Sequence, residues 1–275
     1  TIFAMPFALI GFFLGLNVMN FETYKPWWFL LILVILCMVF ARSAAMGFNR
    51  WLDAEFDAAN IRTAIREIPS GVISKKNALA FVVFNCFAFL ITTYFINALC
   101  LVLAPVALFV ILFYSYTKRF TPLCHLVLGL GLSLAPIGAY IAVTGKFALA
   151  PVLFSMSVLF WVSGFDIIYA LQDEAFDRVN NLRSMPSWLG TKKAMYVSEY
   201  LHFLSFASLF IAGIVGHFSW FYWTGMSAFA FFLVYQHTLV SPKDLGKVNK
   251  AFFTSNGIAS VIFAVFVLLD IFIKL

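Results

Sequence analysis

Apolar residues occur along this chain in long, nearly unbroken runs, and short polar segments separate one run from the next. A membrane-spanning helix needs about 20 mostly apolar residues. The runs lack the alternating polar face of a membrane β-barrel strand. We therefore predict an all-α integral membrane protein with nine transmembrane helices. The predicted spans are 2–19, 26–48, 77–96, 98–116, 122–143, 149–171, 194–216, 219–240 and 252–273.

The composition supports a membrane protein. Of 275 residues, 63% are hydrophobic and only 11% are charged, whereas a soluble domain carries about 25% charged residues. The four cysteines lie in or beside apolar runs without metal-ligand spacing, so we expect small core residues and no disulfides. Because the chain opens at Thr1, already inside an apolar run, we expect a short N-terminal segment before it.

The basic residues follow the pattern of membrane topology and not that of a nucleic-acid-binding surface. Fourteen lie around the connections after spans two, four, six and eight, three lie on the other side, and Arg42 lies inside span two. The positive-inside rule then places the richer side in the cytoplasm, the N-terminus inside and the C-terminus outside. The fourteen are Arg50, Arg62, Arg66, Lys75, Lys76, Lys118, Arg119, Arg178, Arg183, Lys192, Lys193, Lys243, Lys247 and Lys250; the three are Lys25, Lys146 and Lys274. We expect no nucleic-acid partner and no obligate protein partner.

Seven of the twelve acidic residues fall in two short segments, at the cytoplasmic ends of spans two and six. On a helix of about 100° per residue, the spacing within each segment places a set of polar residues along one face. The two stripes are Asn49, Asp53 and Asp57, and Asp166, Asp173 and Asp177. Helix ends that dip into water would explain acids at this depth, but not why each set shares a face.

Like charges at this spacing destabilise a helix, and acids without partners are costly near a membrane. Both stripes therefore call for a compensating cation. Carboxylate and amide oxygens suit Mg²⁺, which shares its coordination shell with substrate phosphates. Neither stripe contains His or Cys, which argues against zinc.

Arginines follow both stripes: Arg62 and Arg66 come after the first, and Arg183 comes after the second. Guanidinium groups bind phosphate oxygens bidentately. Metal ions held by acids, with arginines opposite them, would stabilise a diphosphate leaving group. For each arginine taken alone, membrane topology is an equally good explanation.

At these residues the chain resembles the UbiA superfamily of intramembrane prenyltransferases. The run 49–57 with RTAIREIPSGVIS at 62–74 resembles the first motif and its cap loop, and DIIYALQDEAFD at 166–177 resembles the second. YSYTKRFT at 114–121 is similar to a segment of the hydroxybenzoate-directed branch. HTLVSPKDLGKVNKAFFTSNG at 237–257 resembles a bacterial sub-branch, some of whose members are associated with the futalosine route to menaquinone. The chain departs from the pattern at Arg183, where Lys is frequent, and after Ser184, where Thr is missing.

The resemblance covers essentially the whole chain and implies a single domain over 1–275. It implies a U-shaped bundle of nine helices around a central cavity, with cytoplasmic cap loops at 58–76 and 178–193. The implied location is the bacterial inner membrane, with the active site on the cytoplasmic side.

The activity implied by the resemblance is Mg²⁺-dependent transfer of a polyprenyl group. The donor would be a polyprenyl diphosphate, and the acceptor a ring carbon of a 4-hydroxybenzoate-like compound in quinone biosynthesis, with two Mg²⁺ ions bound. The implied metal ligands are Asn49, Asp53 and Asp57 for one ion, and Asp173 and Asp177 for the other. The implied diphosphate-binding residues are Arg62, Arg66, Arg183 and Lys118. The implied acceptor-binding residues are Arg119, Asp166 and Tyr116, and the implied catalytic residues are Asp166, Asp173 and Arg183.

Other functions stay open at this point. Within the same enzyme class, the acceptor could be a naphthoate or futalosine-type precursor of menaquinone, or a porphyrin side chain. In a different class, a cation-coupled transporter would also bind ions at intramembrane acids. A transporter would need acids near the midplane beside broken helices, whereas these acids lie at the cytoplasmic end beside arginines.

Some polar and small residues receive structural interpretations. We expect His202, His217 and His237 to be interfacial or packing residues, and Asp270, near a span end, to snorkel towards water. Gly129 and Gly131 are expected to allow close helix packing.

Overall fold

The computed structural model describes residues 3–242 and 244–273, and every regular element within these ranges is a helix. The α-helices are α1 Ala4–Val18, α2 Trp27–Leu52, α3 Ala54–Ala59, α4 Lys75–Ile96, α5 Ala98–Thr117, α6 Cys124–Thr144, α7 Leu149–Ala170, α8 Glu174–Val179, α9 Met185–Leu189, α10 Thr191–Val215, α11 Trp220–Leu239 and α12 Asn256–Ile273. A 3₁₀ turn, Leu171–Asp173, joins α7 to α8, and a π-helical segment, Lys250–Ser255, precedes α12. Thr1, Lys243 and Lys274, which entered the predictions above, lie outside the described residues.

Helices occupy all nine segments that the apolar runs predict. In the described ranges, seven helices are long and apolar enough to cross a membrane, and these are α2, α4, α5, α6, α7 extended to Val179, α10, and α12 with its π-helical segment. Helix α1 is apolar but has only 15 residues. Helix α11 has 20 residues, and its Trp, Tyr, Gln and His side chains lower its hydropathy. The all-helical membrane class is confirmed, and the count of nine crossings stays a prediction.

Helix α7 lies inside the bundle, where α6 packs on one side of it and α10 on another. The core where these helices meet α1, α11 and α12 is aromatic, with Phe7, Trp161 and Phe263 fully buried. A Cβ atom on Gly129 would lie 2.3 Å from Ser163 Oγ, so α6 and α7 approach closely, as predicted there. At Gly131 the nearest atom would be an Ile111 side-chain carbon at 3.5 Å. That is ordinary contact, in which an alanine would also fit, so the role of Gly131 in close packing stays a prediction.

Asp270 is fully buried, and its prediction as a snorkelling residue is wrong. Both of its carboxylate oxygens accept the Ser219 N–H at 3.0 Å, and Oδ1 also accepts the Tyr222 N–H at 3.2 Å. The first N–H groups of a helix lack intrahelical partners and favour a negative charge. Asp270 of α12 therefore caps the start of α11 from inside the bundle. His202 and His237 are packing residues as expected, and His202 Nδ1 lies 2.7 Å from His237 Nε2.

An apolar cavity of about 330 Å³ lies among α1, α2, α4, α5 and α6. Its described lining is mainly aliphatic and aromatic, and it includes the charged residue Arg42 and the hydroxyl-bearing residues Thr93 and Tyr114. Arg42 precedes the first motif on α2 by about two turns, and Tyr114 precedes Lys118 by about one turn. The cavity therefore adjoins the end of the bundle that carries the acidic motifs.

Candidate active site

Both acidic motifs lie where a long helix gives way to a short one. Helix α2 ends at Leu52, but the Asp53 N–H still bonds the Asn49 carbonyl at 2.9 Å, and the Asp57 N–H bonds the Asp53 carbonyl at 2.8 Å. The helical spacing of the first stripe thus continues through the junction. In the second motif a 3₁₀ turn separates Asp166 on α7 from Asp177 on α8. The straight-helix geometry used to predict the second stripe does not apply there, because a 3₁₀ turn has fewer residues per turn.

The two aspartates of the first motif each face an arginine. Asp57 is buried, and both of its oxygens accept from Arg66 Nη1, at 2.7 and 2.8 Å. Asp53 Oδ2 accepts from Asn49 Nδ2 at 3.0 Å, and Asp53 Oδ1 lies 3.5 Å from Arg119 Nη2. Burial raises the pKa of Asp53, and the nearby Arg119 charge opposes that shift.

Arg62 joins the two motifs directly. It belongs to the loop after the first motif, yet its Nε and Nη2 donate to Asp173 of the second motif at 3.1 and 2.5 Å. Its Nη1 donates to the Tyr169 hydroxyl at 3.0 Å, and Asn60 Nδ2 adds a 3.3 Å bond to Asp173. A bidentate guanidinium–carboxylate pair of this kind fixes orientation as well as charge. Residues 111 positions apart in sequence therefore form one site.

Asp177 is fully buried and bonds both a lysine and a serine. Lys118 Nζ lies 2.7 Å from Oδ1, and the Ser184 hydroxyl donates to Oδ2 at 2.8 Å. Burial alone would lower the pKa of Lys118, but the charges of Asp177 and Asp173 outweigh burial and raise it. Lys118 is therefore held in its charged form.

Each of the four carboxylates at the centre of the site thus has one basic partner. The pairs are Asp53–Arg119, Asp57–Arg66, Asp173–Arg62 and Asp177–Lys118. Among residues 3–242 and 244–273, no group of three or more His, Cys, Asp and Glu side chains is placed to hold an ion by itself. The donor set still suits Mg²⁺, which is usually bound by one or two carboxylates together with waters and substrate phosphates.

Two residues predicted for the site lie at its periphery. The Arg183 side chain is exposed, and its Nη1 donates to the Phe120 carbonyl at 2.9 Å. Arg183 also lines a surface pocket together with Arg178. Tyr116 is 39% exposed, and its ring lies 5.5 Å from the Arg119 guanidinium carbon.

Three residues at or beside the cavity were absent from the predicted site. Arg42 lines the cavity from α2, and a charged residue inside an apolar span is itself a signal of function. Tyr114 lines the cavity from α5 and opens the YSYTKRFT segment. His125 of α6 contacts Asp166 with 2.6 Å between Nδ1 and Oδ2. Nothing in the sequence indicates that His125 and Asp166, which are 41 positions apart, are in contact.

Comparison with known proteins identifies the family. A model of the UbiA prenyltransferase family matches residues 4–257. The chain belongs to this family. A 4-hydroxybenzoate octaprenyltransferase from Aliivibrio fischeri (strain MJ11) is 33% identical over 241 residues, which cover 86% of this chain and 83% of that protein.

Solved UbiA structures share the fold. The apo structure of a UbiA homolog from Aeropyrum pernix K1 matches with a TM-score of 0.85 and 28% identity, covering 98% of this chain and 97% of that one. A UbiA homolog from Archaeoglobus fulgidus bound to DMAPP and Mg²⁺ matches with a TM-score of 0.68 and 17% identity, covering 99% and 98%. The resemblance predicted from the motifs is confirmed. The protein is a UbiA-family prenyltransferase and not a cation-coupled transporter.

Proposed function

We propose that this protein transfers a polyprenyl chain from its diphosphate to a ring carbon of 4-hydroxybenzoate or a closely similar acid in quinone biosynthesis. The observation that carries the proposal is the pair formed by Arg62 and Asp173, because it joins both acidic motifs into one site beside an apolar cavity. The Aliivibrio relative is named for octaprenyl transfer to 4-hydroxybenzoate. The Archaeoglobus homolog binds a short prenyl diphosphate with Mg²⁺.

We propose that the carboxylates hold two Mg²⁺ ions together with the diphosphate. Asn49, Asp53 and Asp57 would hold one ion, and Asp173 with Asp177 the other. When bound, Mg²⁺ would neutralise charge on the departing diphosphate. Arg62, Arg66 and Lys118 stand within 3.1 Å of these carboxylates. Their charges are therefore already directed at the place where the diphosphate would bind.

The cavity suits the aromatic acid. Arg42 is its charged lining residue, and a guanidinium matches the planar geometry of a carboxylate. We therefore assign the acceptor carboxylate to Arg42, in place of Arg119, which pairs with Asp53, and Tyr116, which lies at the periphery. Tyr114 offers a hydroxyl and an aromatic face, and such faces stabilise a nearby cation. The apolar walls exclude water that would otherwise quench an allylic cation.

We propose a membrane arrangement to accompany this activity. In it the protein is a single domain in the bacterial inner membrane, with nine crossings and cytoplasmic cap segments at 58–76 and 178–193. The donor diphosphate would then enter from the cytoplasm while its prenyl tail stays in lipid. The basic residues near the described motifs support this orientation, because they lie at the same end of the bundle as the acids.

A product assay tests the proposal. Purified protein in lipid nanodiscs would receive Mg²⁺, radiolabelled prenyl diphosphates of several lengths, and one acceptor at a time, with products identified by mass. We expect prenylated 4-hydroxybenzoate, no product from benzoate, and complete loss of turnover with EDTA that excess Mg²⁺ restores. Product from 1,4-dihydroxy-2-naphthoate alone would replace the acceptor with the menaquinone type. No product from any aromatic acceptor would refute the proposed function.

A further inference from the structure

Beside the acid cluster, Asp166 of α7 contacts His125 of α6. His125 is 3% exposed, its Nδ1 lies 2.6 Å from Asp166 Oδ2, and the Asp166 side chain keeps 22% of its surface accessible. The other ring nitrogen, Nε2, accepts the backbone N–H of Met185 at 3.3 Å. A backbone N–H can only donate, so Nε2 carries no proton and the ring proton lies on Nδ1, directed at Asp166.

Asp166 has a different environment from the other motif aspartates. Those four face arginine or lysine, whereas Asp166 faces a histidine. It precedes Asp173 by seven residues, on the far side of the 3₁₀ turn. Its partner His125 lies on α6 about one turn before Leu128, which lines the cavity. Asp166 therefore contacts a helix that forms part of the cavity wall.

We propose that His125 is a positioning residue: it holds Asp166, the catalytic residue that the family resemblance implies, as a carboxylate oriented to take the hydroxyl proton of the aromatic acceptor. This inference rests on the proposed function, since it concerns how the same site treats its acceptor. The Nδ1–H of His125 occupies Oδ2 and fixes the carboxylate, so Oδ1 is the oxygen assigned to the acceptor. A ring activated in this way attacks through the carbon next to its oxygen, which is the position to be prenylated.

The proton count is as follows. The C1–O bond of the prenyl diphosphate breaks, and its electron pair leaves with the diphosphate. The acceptor ring carbon bonds to C1, and the hydroxyl proton passes to Asp166 Oδ1, which leaves a ring ketone. Asp166 then returns a proton to that oxygen while the ring C–H proton leaves, which restores aromaticity. One proton is released for each diphosphate.

Two substitutions at His125 separate its two contacts. In His125→Asn the amide N–H stands where Nδ1–H stood and still donates to Asp166, while the acceptor for Met185 is lost. In His125→Gln the longer side chain reaches the Met185 N–H with its carbonyl, while the donor to Asp166 is lost. With full-length protein in nanodiscs, we expect kcat of H125N to stay within about threefold of wild type. We expect kcat of H125Q to fall by about tenfold to a hundredfold, which is the effect of losing a hydrogen bond to a charged group.

Three further readouts exclude a merely structural role. A prenyl thiodiphosphate is a donor analogue whose C1–S bond does not ionise. Its affinity in the presence of Mg²⁺ should be the same in wild type and both variants. With 3-fluoro-4-hydroxybenzoate, whose hydroxyl is more acidic, the ratio of wild-type to H125Q kcat should shrink. Asp166→Asn should lose at least as much kcat as H125Q, and the double variant should lose no more than D166N alone.

Equal losses in H125N and H125Q, no loss in H125Q, a constant ratio with the fluorinated acceptor, or additive losses in the double variant would each overturn this role. If H125Q does not fold, D166N and H125N still decide, because the proposal requires D166N to be impaired and H125N to be active. Failure of the proposed function would appear differently, since wild type itself would then form no acceptor-dependent product.

Discussion

The acidic side chains of the site differ sharply in their surroundings even within one motif. Asp53 faces Arg119 and Asn49, whereas the side chain of Glu55, two residues later, is 89% exposed and pairs with Lys75 at the surface. Sequence proximity to the motif is therefore a poor guide to function. Burial and the identity of the partner separate the two acids.

We predict that Asp53→Ala and Asp173→Ala each abolish turnover, because each removes a ligand from a different proposed metal ion. Glu55→Ala is the matched control and should keep wild-type kcat, since its exposed pair contributes little. Steady-state kinetics at saturating Mg²⁺ on folded, matched samples is the measurement. More than a tenth of wild-type activity in either Asp variant would remove the two-motif metal site.

We expect substitutions of different basic residues to affect different substrates. In Arg62→Gln, loss of charge-assisted hydrogen bonds worth about 1.5–3 kcal/mol should raise the donor KM and lower kcat. In Arg42→Gln the acceptor KM should rise selectively, because Arg42 lines the cavity. Arg183→Gln should affect the donor less than Arg62→Gln does, because the Arg183 guanidinium faces the Phe120 carbonyl. Initial rates with each substrate varied in turn would reveal this division, and an unchanged donor KM and kcat in R62Q would contradict it.

At the scale of helices, apolar runs predicted every long helix because a membrane segment must be apolar over its whole length. They could not predict where a long helix breaks, since the junction at Asp53 and the 3₁₀ turn at Leu171–Asp173 lie within polar motifs of helical spacing. The sequence also does not indicate which residues on different helices contact each other. The sequence places Asp270 near a span end, whereas the structure places its carboxylate against the start of α11.

The close approach of α6 and α7 can be tested with two glycines of one helix. A methyl group at Gly129 would overlap Ser163 Oγ and the Leu159 carbonyl, whereas a methyl group at Gly138 would meet no atom within 4 Å among the described residues outside its own helix backbone and chain neighbours. We expect Gly129→Ala to destabilise the protein by about 1–3 kcal/mol through forced backbone shifts. Gly138→Ala should be neutral or slightly stabilising, since alanine favours helices. Thermal unfolding in detergent compares them, and equal melting temperatures would show that the helices separate easily.

At the scale of the whole molecule, the charge bias of the loops predicts orientation. Single Cys probes at Ser70 and Lys247, in a background without the four native cysteines, should react only from the cytoplasmic side. A probe at Lys146 should react only from outside. Labelling with a membrane-impermeant maleimide, in intact and in opened cells, measures this. Reaction of the Ser70 probe in intact cells would reverse the orientation and the side from which the donor enters.

The pairing of every central carboxylate with a basic side chain has a thermodynamic consequence. A cation that takes Asp57 or Asp173 away from its arginine leaves that guanidinium free for phosphate oxygens, and a phosphate that draws the guanidinium away leaves the carboxylate free for a cation. Each ligand thus removes the competitor of the other, so donor and Mg²⁺ should bind with positive cooperativity. Linkage requires the factor to be equal in both directions. Titration calorimetry with a non-ionisable donor analogue should therefore find one coupling factor well above unity, and independent binding would mean that the salt bridges persist in the loaded enzyme.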